Sequence, residues 1–298
     1  MQLYTTTFHA MGCPCELRLF SGSAAVAQNA VAACIGEAAR FEQKYSRYLD
    51  TSVTSLINRS AGVSATPIDP ETFGLLQYAH VCYEQSHGLF DITSGVLRKV
   101  WNKDRQTQPG QAELDEIIRL VGWDKVCLSE SEVFLPQRGM EIDFGGVVKE
   151  YAADAIAMQV KSSGVSAALV SLGGDIVTFG TQQAGAAWPI GIVHPIQKTS
   201  AIATIYLKDM ALATSGGYER YFELQGKRYG HLINPHTGWP VDSLLSVSVS
   251  AEQAVVAGSI SSIALLYDRQ EAIDWLENSG CAYLAIDQDL SCYGSLGD

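Results

Sequence analysis

No apolar run in this chain approaches the roughly 20 residues that a membrane-spanning helix needs, so no transmembrane helix is expected. Basic residues are in deficit. The 20 Lys and Arg against 32 Asp and Glu leave a formal net charge of -12, which argues against nucleic acid or an anionic membrane as a partner held by broad electrostatics. Local anion sites remain open. The opening MQLYTTTFHA has neither a basic start nor an apolar core, so the AMGC that ends at Cys13 is not read as a lipoprotein cleavage box, and a cytoplasmic location is expected. Seven cysteines (Cys13, Cys15, Cys34, Cys82, Cys127, Cys281, Cys292) are an odd number scattered through apolar segments; a disulfide framework is not expected, and reduced thiols are. Neither an internal repeat nor a low-complexity linker divides the chain, so residues 1–298 are read as one domain.

What is present is a mixture of helical and strand periodicities. Val31, Ile35, Ala38, Phe41 and Tyr45 recur at helical spacing and predict a helix over 24–47. Further helices are expected at 70–86, 112–121, 149–163, 252–267 and 270–278. Strands are expected at 13–20, 125–128, 131–135, 166–171, 188–193, 202–207, 245–251 and 282–286. In the first of these, Cys15, Leu17 and Leu19 alternate with Glu16, Arg18 and Phe20, which turns Cys13 and Cys15 to one face as packing residues. Leu245, Val247 and Val249 alternate with Ser246, Ser248 and Ser250, the pattern of a half-exposed strand. The elements follow no regular βαβ period, so the class is α+β with largely antiparallel sheets.

The densest chemistry lies between Ala213 and Ser250, where ATSGGYERYF and GHLINPHTGWPV set Gly-, Thr-, Ser-, Asn- and Pro-rich turns between apolar strands. Such turns present amides and hydroxyls to a polar ligand. Gly173 and Gly174, with Asp175, read either as a hairpin turn or as backbone opened to a phosphate or ring edge. Lys149 falls in the first turn of a helix, where a cation is either a solvated surface group or a partner for an anion. Phe90, Asp91 and Thr93 read as a capped helix end with a buried ring. His231, before Pro235, Thr237 and Gly238, is either a hydrogen-bonded turn residue or a general base.

Taken together and in order, MGCPC, SRYLDTSVTSLINRSAG, SHGLFDITSGVL, DFGGVVKEYAAD, VSLGGDIVTFG, TSGGYERYF and HLINPHTG resemble the motifs of the ApbE family, the FAD:protein FMN transferases. The resemblance covers nearly the whole chain. It implies an ApbE-like fold and FAD bound by Met11, Tyr48, Phe90, Asp91, Thr93, Lys149, Gly173, Gly174, Asp175, Thr214, Ser215 and Thr237, with Trp101 a further ring-packing candidate. His231 then acts as the catalytic base: a Thr or Ser hydroxyl of an acceptor protein attacks the FMN phosphorus and AMP leaves.

Three departures from the pattern concern carboxylates. The family places Asp and Thr one helical turn apart as magnesium ligands, with a main-chain oxygen at the position of Val148. This chain has Gly258 for the Asp and retains a hydroxyl at Ser262. Glu150 stands where the family has Gly after the Lys, and Gly217 where a further Asp is usual. Weak or absent Mg²⁺ binding is therefore expected, and a non-catalytic FAD-binding protein and an FAD pyrophosphatase stay open beside the transferase. Restoring the carboxylate with Gly258→Asp is expected to leave the fold intact, because Gly is a poor helix former.

Overall fold

The computed structural model describes residues 1–102, 104–197, 199–217 and 221–296. Its centre is one eight-stranded sheet: β1 (Gln2–Ala10), β2 (Cys13–Ser21), β3 (Ala167–Leu172), β4 (Asp175–Phe179), β5 (Ala211–Gly216), β6 (Leu244–Ala251), β7 (Ala282–Asp287) and β8 (Cys292–Gly294). Each strand pairs antiparallel with the next in the chain. The sheet is thus a simple meander, and everything else is inserted into its connections. Among the described residues seven α-helices lie in those connections: α1 (Ala24–Tyr45), α2 (Val53–Arg59), α3 (Pro70–Gln85), α4 (Gln111–Ile118), α5 (Val148–Ser162), α6 (Ala254–Leu266) and α7 (Arg269–Asn278). The α+β class with antiparallel sheets is as expected.

Both faces of the sheet are covered. Leu17 and Leu19 of β2 and Ala168 and Val170 of β3 pack under the helices with Phe41, Ala153 and Ile156. Phe20 and Leu169 point the other way, onto a hairpin of strands Trp188–Val193 and Ala201–Leu207 that supplies Trp188, Ile190 and Ile205. Burial on two sides explains why the first four residues of β3, Ala167 to Val170, read as an apolar run with no alternation.

Two expectations need correction. The buried stripe of α1 is Ala27, Ala30, Cys34, Ala38, Phe41 and Tyr45, and Ile35 is exposed. Small residues (Ala27, Ala30, Cys34, Ala38) fill much of the face toward the sheet and α5 because the helix lies close, so an aliphatic side chain such as Ile35 does not by itself mark the core face. The serine face of β6 is likewise buried. Its hydroxyls are satisfied across the sheet: Ser248 Oγ pairs with Thr214 Oγ1 at 2.8 Å, and Ser250 Oγ donates to the Ala211 carbonyl at 3.0 Å. Strands β1, β4, β5 and β8 and helix α2 are not expected from periodicity.

Helix α6 is apolar and almost wholly buried, and it has no side-chain cap of its own. Its first amides are capped from α5: Asp154 Oδ1 and Oδ2 accept from Ala254 N at 2.8 Å and Val255 N at 3.0 Å. A carboxylate at this end also meets the positive end of the helix dipole. Asp154→Ala should therefore lower stability by about 1–2 kcal/mol, read as a shift in the urea midpoint, and Asp154→Asn, which keeps an acceptor oxygen, should recover part of the loss. An unchanged midpoint for the Ala variant would show that solvent caps α6.

Candidate active site

Two tight hairpin turns lie at one end of the sheet. Met11 and Gly12 have φ of 53° and 69°, and Gly173 and Gly174 have 60° and 95°, the left-handed pairs that two-residue hairpin loops require. Pairing of Cys15 with Leu172 sets the turns side by side, and Gly173 N donates to the Pro14 carbonyl at 2.9 Å. A Cβ on Gly173 would stand 2.9 Å from Cys13 Cβ, so the glycine is required by packing as well as by φ. Cys13 and Cys15 face the core. The Cys13 side chain, followed by burial, pushes the Cys15 thiol far above its ordinary range. A thiol so held is no thiolate ligand at neutral pH. None of the seven cysteines is in a disulfide among the described residues.

Beside this end opens a cleft of about 650 Å³, partly open to solvent, walled by Phe90, Arg98, Asp143, Gly146, His231 and Ser262 among others. Four segments far apart in the chain meet here. The Phe90 ring lies against Gly146, where a Cβ would stand 3.3 Å from the ring edge, so the glycine lets the ring sit over the entry to α5. Asp91 lines the cleft but is committed as a cap: Oδ1 accepts from Thr93 N at 2.7 Å and Thr93 Oγ1 at 2.6 Å, and Oδ2 from Trp123 N at 3.0 Å. The Thr93 hydroxyl in turn accepts from Gly122 N at 2.8 Å. Both residues hold the wall on which Phe90 is mounted.

His231 follows the strand Lys227–Gly230 and opens a turn closed on itself. Asn234 Oδ1 accepts from His236 N and Thr237 N, and Gly238 N donates to the Asn234 carbonyl at 2.8 Å. Trp101 anchors this turn through its indole N–H to the Gly238 carbonyl at 2.6 Å and lies buried in a separate cluster with Leu114 and Tyr229, so it is no wall of the cleft. Thr237 is exposed, its hydroxyl accepting from Trp239 N at 3.2 Å. Tyr48 is 83% exposed beside the Arg47 guanidinium. Met11 packs on the edge of the main core. These three stand outside the cleft wall, and Tyr218, Glu219 and Arg220 of the TSGGYERYF block lie outside the described residues.

Periodicity gave no sign of the Asp143 cluster. Burial would raise this carboxyl, but Arg98 and Arg47 outweigh it and hold it below the usual carboxylate range. Arg98 bonds the same oxygen as Arg47, yet 41% of its side chain stays exposed at the cleft. It is a cation that can reach an anionic ligand.

The entry to α5 carries the charges. Lys149 bonds Asp175 directly, and its Nζ lies 3.8 Å from Glu150 Oε1. Asp175 is 2% exposed and Glu150 7%. Across from them Ser215 Oγ lies 2.9 Å from Ser261 Oγ and 3.0 Å from Ser262 Oγ, which ties the end of β5 to α6.

A family model described as the ApbE family matches residues 11–285. This chain belongs to the ApbE family. Among similar curated proteins, the FAD:protein FMN transferase of Klebsiella pneumoniae is 31% identical over 261 residues, covering 83% of this chain and 77% of that one. That of Treponema pallidum is 32% identical over 233 residues, covering 71% and 64%. Of solved structures, the ApbE protein of Thermotoga maritima aligns with a TM-score of 0.91 at 29% identity over 99% of this chain and 97% of that one. The flavin transferase ApbE of Vibrio cholerae, at 21% identity and TM-score 0.87 over 99% and 98%, shares the fold.

Within this ApbE chain two of the departures noted in the sequence, Gly258 and Glu150, touch each other. A Cβ on Gly258 would stand 2.5 Å from Glu150 Cγ, 3.2 Å from Cδ and 3.3 Å from Oε1. The expectation that Gly258→Asp leaves the fold intact is therefore overturned: α5 already fills that space, and the obstructing atom is near the root of the Glu side chain. Gly258→Ala should lower stability, because overpacking of about 1–3 kcal/mol exceeds the roughly 1 kcal/mol of helix propensity gained. In a Glu150→Ala background the same change should become stabilising. Equal effects in the two backgrounds, by urea denaturation, would show that the two positions do not couple.

Proposed function

We propose that this chain is an FAD:protein FMN transferase, acting as one domain over residues 1–298 in a reducing compartment such as the cytoplasm. The observation that carries the reading is the meeting of His231, Phe90, Arg98 and the entry to α5 in one cleft, in a member of a family whose relatives bear that name. The reading takes Phe90 as the aromatic wall for the isoalloxazine ring. The Gly146 backbone and the Arg98 guanidinium face the pyrophosphate, where a helix entry favours negative charge. The turn at Gly173 and Gly174, with Lys149 and Asp175 behind it, and Thr214 and Ser215 at the end of β5 form the floor. Met11, Tyr48 and Thr237, outside the cleft wall, meet the adenosine half or the acceptor protein.

In this reading His231 takes the proton from an acceptor Thr or Ser hydroxyl as its oxygen attacks the FMN phosphorus. The P–O bond to the AMP half breaks, and AMP departs with its phosphate. Arg98 and the α5 amides stabilise the charge that grows on the phosphoryl oxygens. A magnesium ion would be held by the Val148 main-chain oxygen and the Ser262 hydroxyl, and would supply neutralisation of the pyrophosphate. The donors are hard oxygens of the kind that ion takes. A buried carboxylate oxygen without a hydrogen-bond partner among the described residues, Glu150 Oε2, stands against the same helix, so the site suits a cation.

His231→Ala should reduce transfer of flavin to a Thr-containing acceptor peptide by about 10²- to 10⁴-fold, followed as flavin fluorescence in the peptide, while FAD still quenches on binding. Undiminished transfer would remove His231 as the base. Failure of the wild-type chain to bind FAD would remove the reading as a whole.

A further inference from the structure

The charges behind Arg98 form a chain that runs into the wall of the cleft. Lys99 Nζ lies 2.6 Å from Glu141 Oε1, Arg47 Nη2 lies 3.1 Å from Glu141 Oε2, and Arg47 Nη1 lies 3.1 Å from Asp143 Oδ2, the oxygen that Arg98 also bonds. The signs alternate along it. Three cations meet two carboxylates, so among the described residues this network holds one surplus positive charge in a chain whose net charge is -12. Matching Lys99 to Glu141 and Arg47 to Asp143 leaves Arg98 over, and of the three cations Arg98 is the one that lines the cleft. The surplus charge faces the ligand.

Asp143 has two guanidinium partners, and the one behind the wall is seated by the fold. Arg47 rests against the short 3-10 helix Ile92–Lys99 that carries Arg98, its Nη1 3.4 Å from the Gly95 carbonyl. A Cβ on Gly95 would stand 2.8 Å from Asp143 Cβ and 3.2 Å from Arg47 Nη1, so a side chain there would push the pair off its seat. The carboxylate itself is fixed. Its Oδ1 accepts from Gly145 N at 2.9 Å, and Asp143 N donates to the Ile92 carbonyl at 2.9 Å. The two arginines differ in freedom, with 19% of the Arg47 side chain exposed against 41% of Arg98. A buried carboxylate that loses its sole cation is left uncompensated at high cost, whereas one that keeps a second is not. Arg98 can leave Asp143 because Arg47 stays.

We propose that Arg98 exchanges partners when a phosphate ester enters the cleft, passing from Asp143 to the phosphate oxygens, and that Arg47 is the positioning residue that permits the exchange by keeping Asp143 compensated. The ligand is the FAD pyrophosphate of the flavin-transferase reading, on which this exchange rests. No covalent bond changes. One charge-assisted contact replaces another, and until the ligand arrives Asp143 holds the guanidinium at the cleft wall. Discrimination follows from the same geometry, because riboflavin carries the ring without a phosphate and gives Arg98 nothing to exchange for.

The test titrates the full chain with FAD and with riboflavin, followed by quenching of flavin fluorescence, with the melting temperature of each variant as a check on folding. Wild type should prefer FAD. Arg98→Gln should weaken FAD binding by about 10- to 150-fold, the range of one lost charge-assisted contact, and leave riboflavin unchanged. Arg47→Ala should also weaken FAD selectively, since Asp143 then has Arg98 as its only cation and does not release it. The next substitution decides. Asp143→Asn in the Arg47→Ala background removes the charge that retains Arg98 and should restore most of the FAD affinity, and Asp143→Asn alone should bind FAD at least as tightly as wild type. A merely structural pair gives the opposite pattern, with both flavins weakened together by Arg47→Ala and weakened further by Asp143→Asn. Should Arg47→Ala not fold, the FAD affinity of Asp143→Asn against wild type decides alone. Equal affinity of wild type for the two flavins, equal loss of both in Arg98→Gln, undiminished FAD binding in Arg47→Ala, or FAD binding weakened by Asp143→Asn overturns the exchange and leaves the flavin-transferase reading standing. A wild-type chain that binds neither flavin overturns that reading, and the exchange falls with it.

Discussion

The crossing of α5 on α6 is the contact on which the candidate site depends. Two acidic residues one turn apart on α5, Glu150 and Asp154, both face α6. Asp154 caps its first amides, and Glu150 enters the gap at Gly258. Helix α6 is mostly apolar, and its few polar side chains, Ser259 bonded to Tyr78 and Ser261 and Ser262 bonded to Ser215, act with those carboxylates to fix its rotation and height. Hydrophobic burial holds it in the core without specifying register, whereas two carboxylates meeting particular backbone positions do specify it. The position of Ser262 relative to His231 and Phe90 follows from that register.

The charges at the entry to α5 are linked in the same way. Asp175 begins β4 after the Gly173–Gly174 turn, so its place is set by the hairpin, and Lys149 reaches it from α5. The pair joins sheet to helix at the end where the cleft opens. Burial drives the Glu150 carboxyl upward, Lys149 opposes it, and Asp175 adds to it. Removing Lys149 would leave two buried carboxylates uncompensated, and breaking a buried pair typically costs about 3–5 kcal/mol. Lys149 is therefore a structural cation first, whereas Arg98, paired with Asp143 but partly exposed, is the cation that lines the cleft wall.

Much of this was legible in the sequence. Strong periodicity located α1, α3, α5, α6 and α7, and the ordered motifs located the segments that meet in the cleft. What escaped did so for identifiable reasons. Strands β4 and β5 are short and flank glycine turns, so they offer too few residues to show a period. The serine face of β6 looked solvated because hydroxyl residues are usually exposed, yet a neighbouring strand can satisfy them. Tyr48 and Thr237 share motifs with cleft residues but point outward, since a motif records proximity along the chain and not the direction of a side chain. Trp101 is an equally good aromatic candidate by sequence, but its indole N–H donates to the Gly238 carbonyl and its ring is buried away from the cleft.

The relation between Glu150 and Gly258 was beyond any reading of single positions. Taken singly, one position gains a carboxylate relative to the family pattern and the other lacks one. Their relation lies in the fold, where the two backbones approach within the length of a side chain. A Cβ at 258 and a Cγ at 150 cannot coexist at 2.5 Å, so Gly at the one position is what admits Glu at the other.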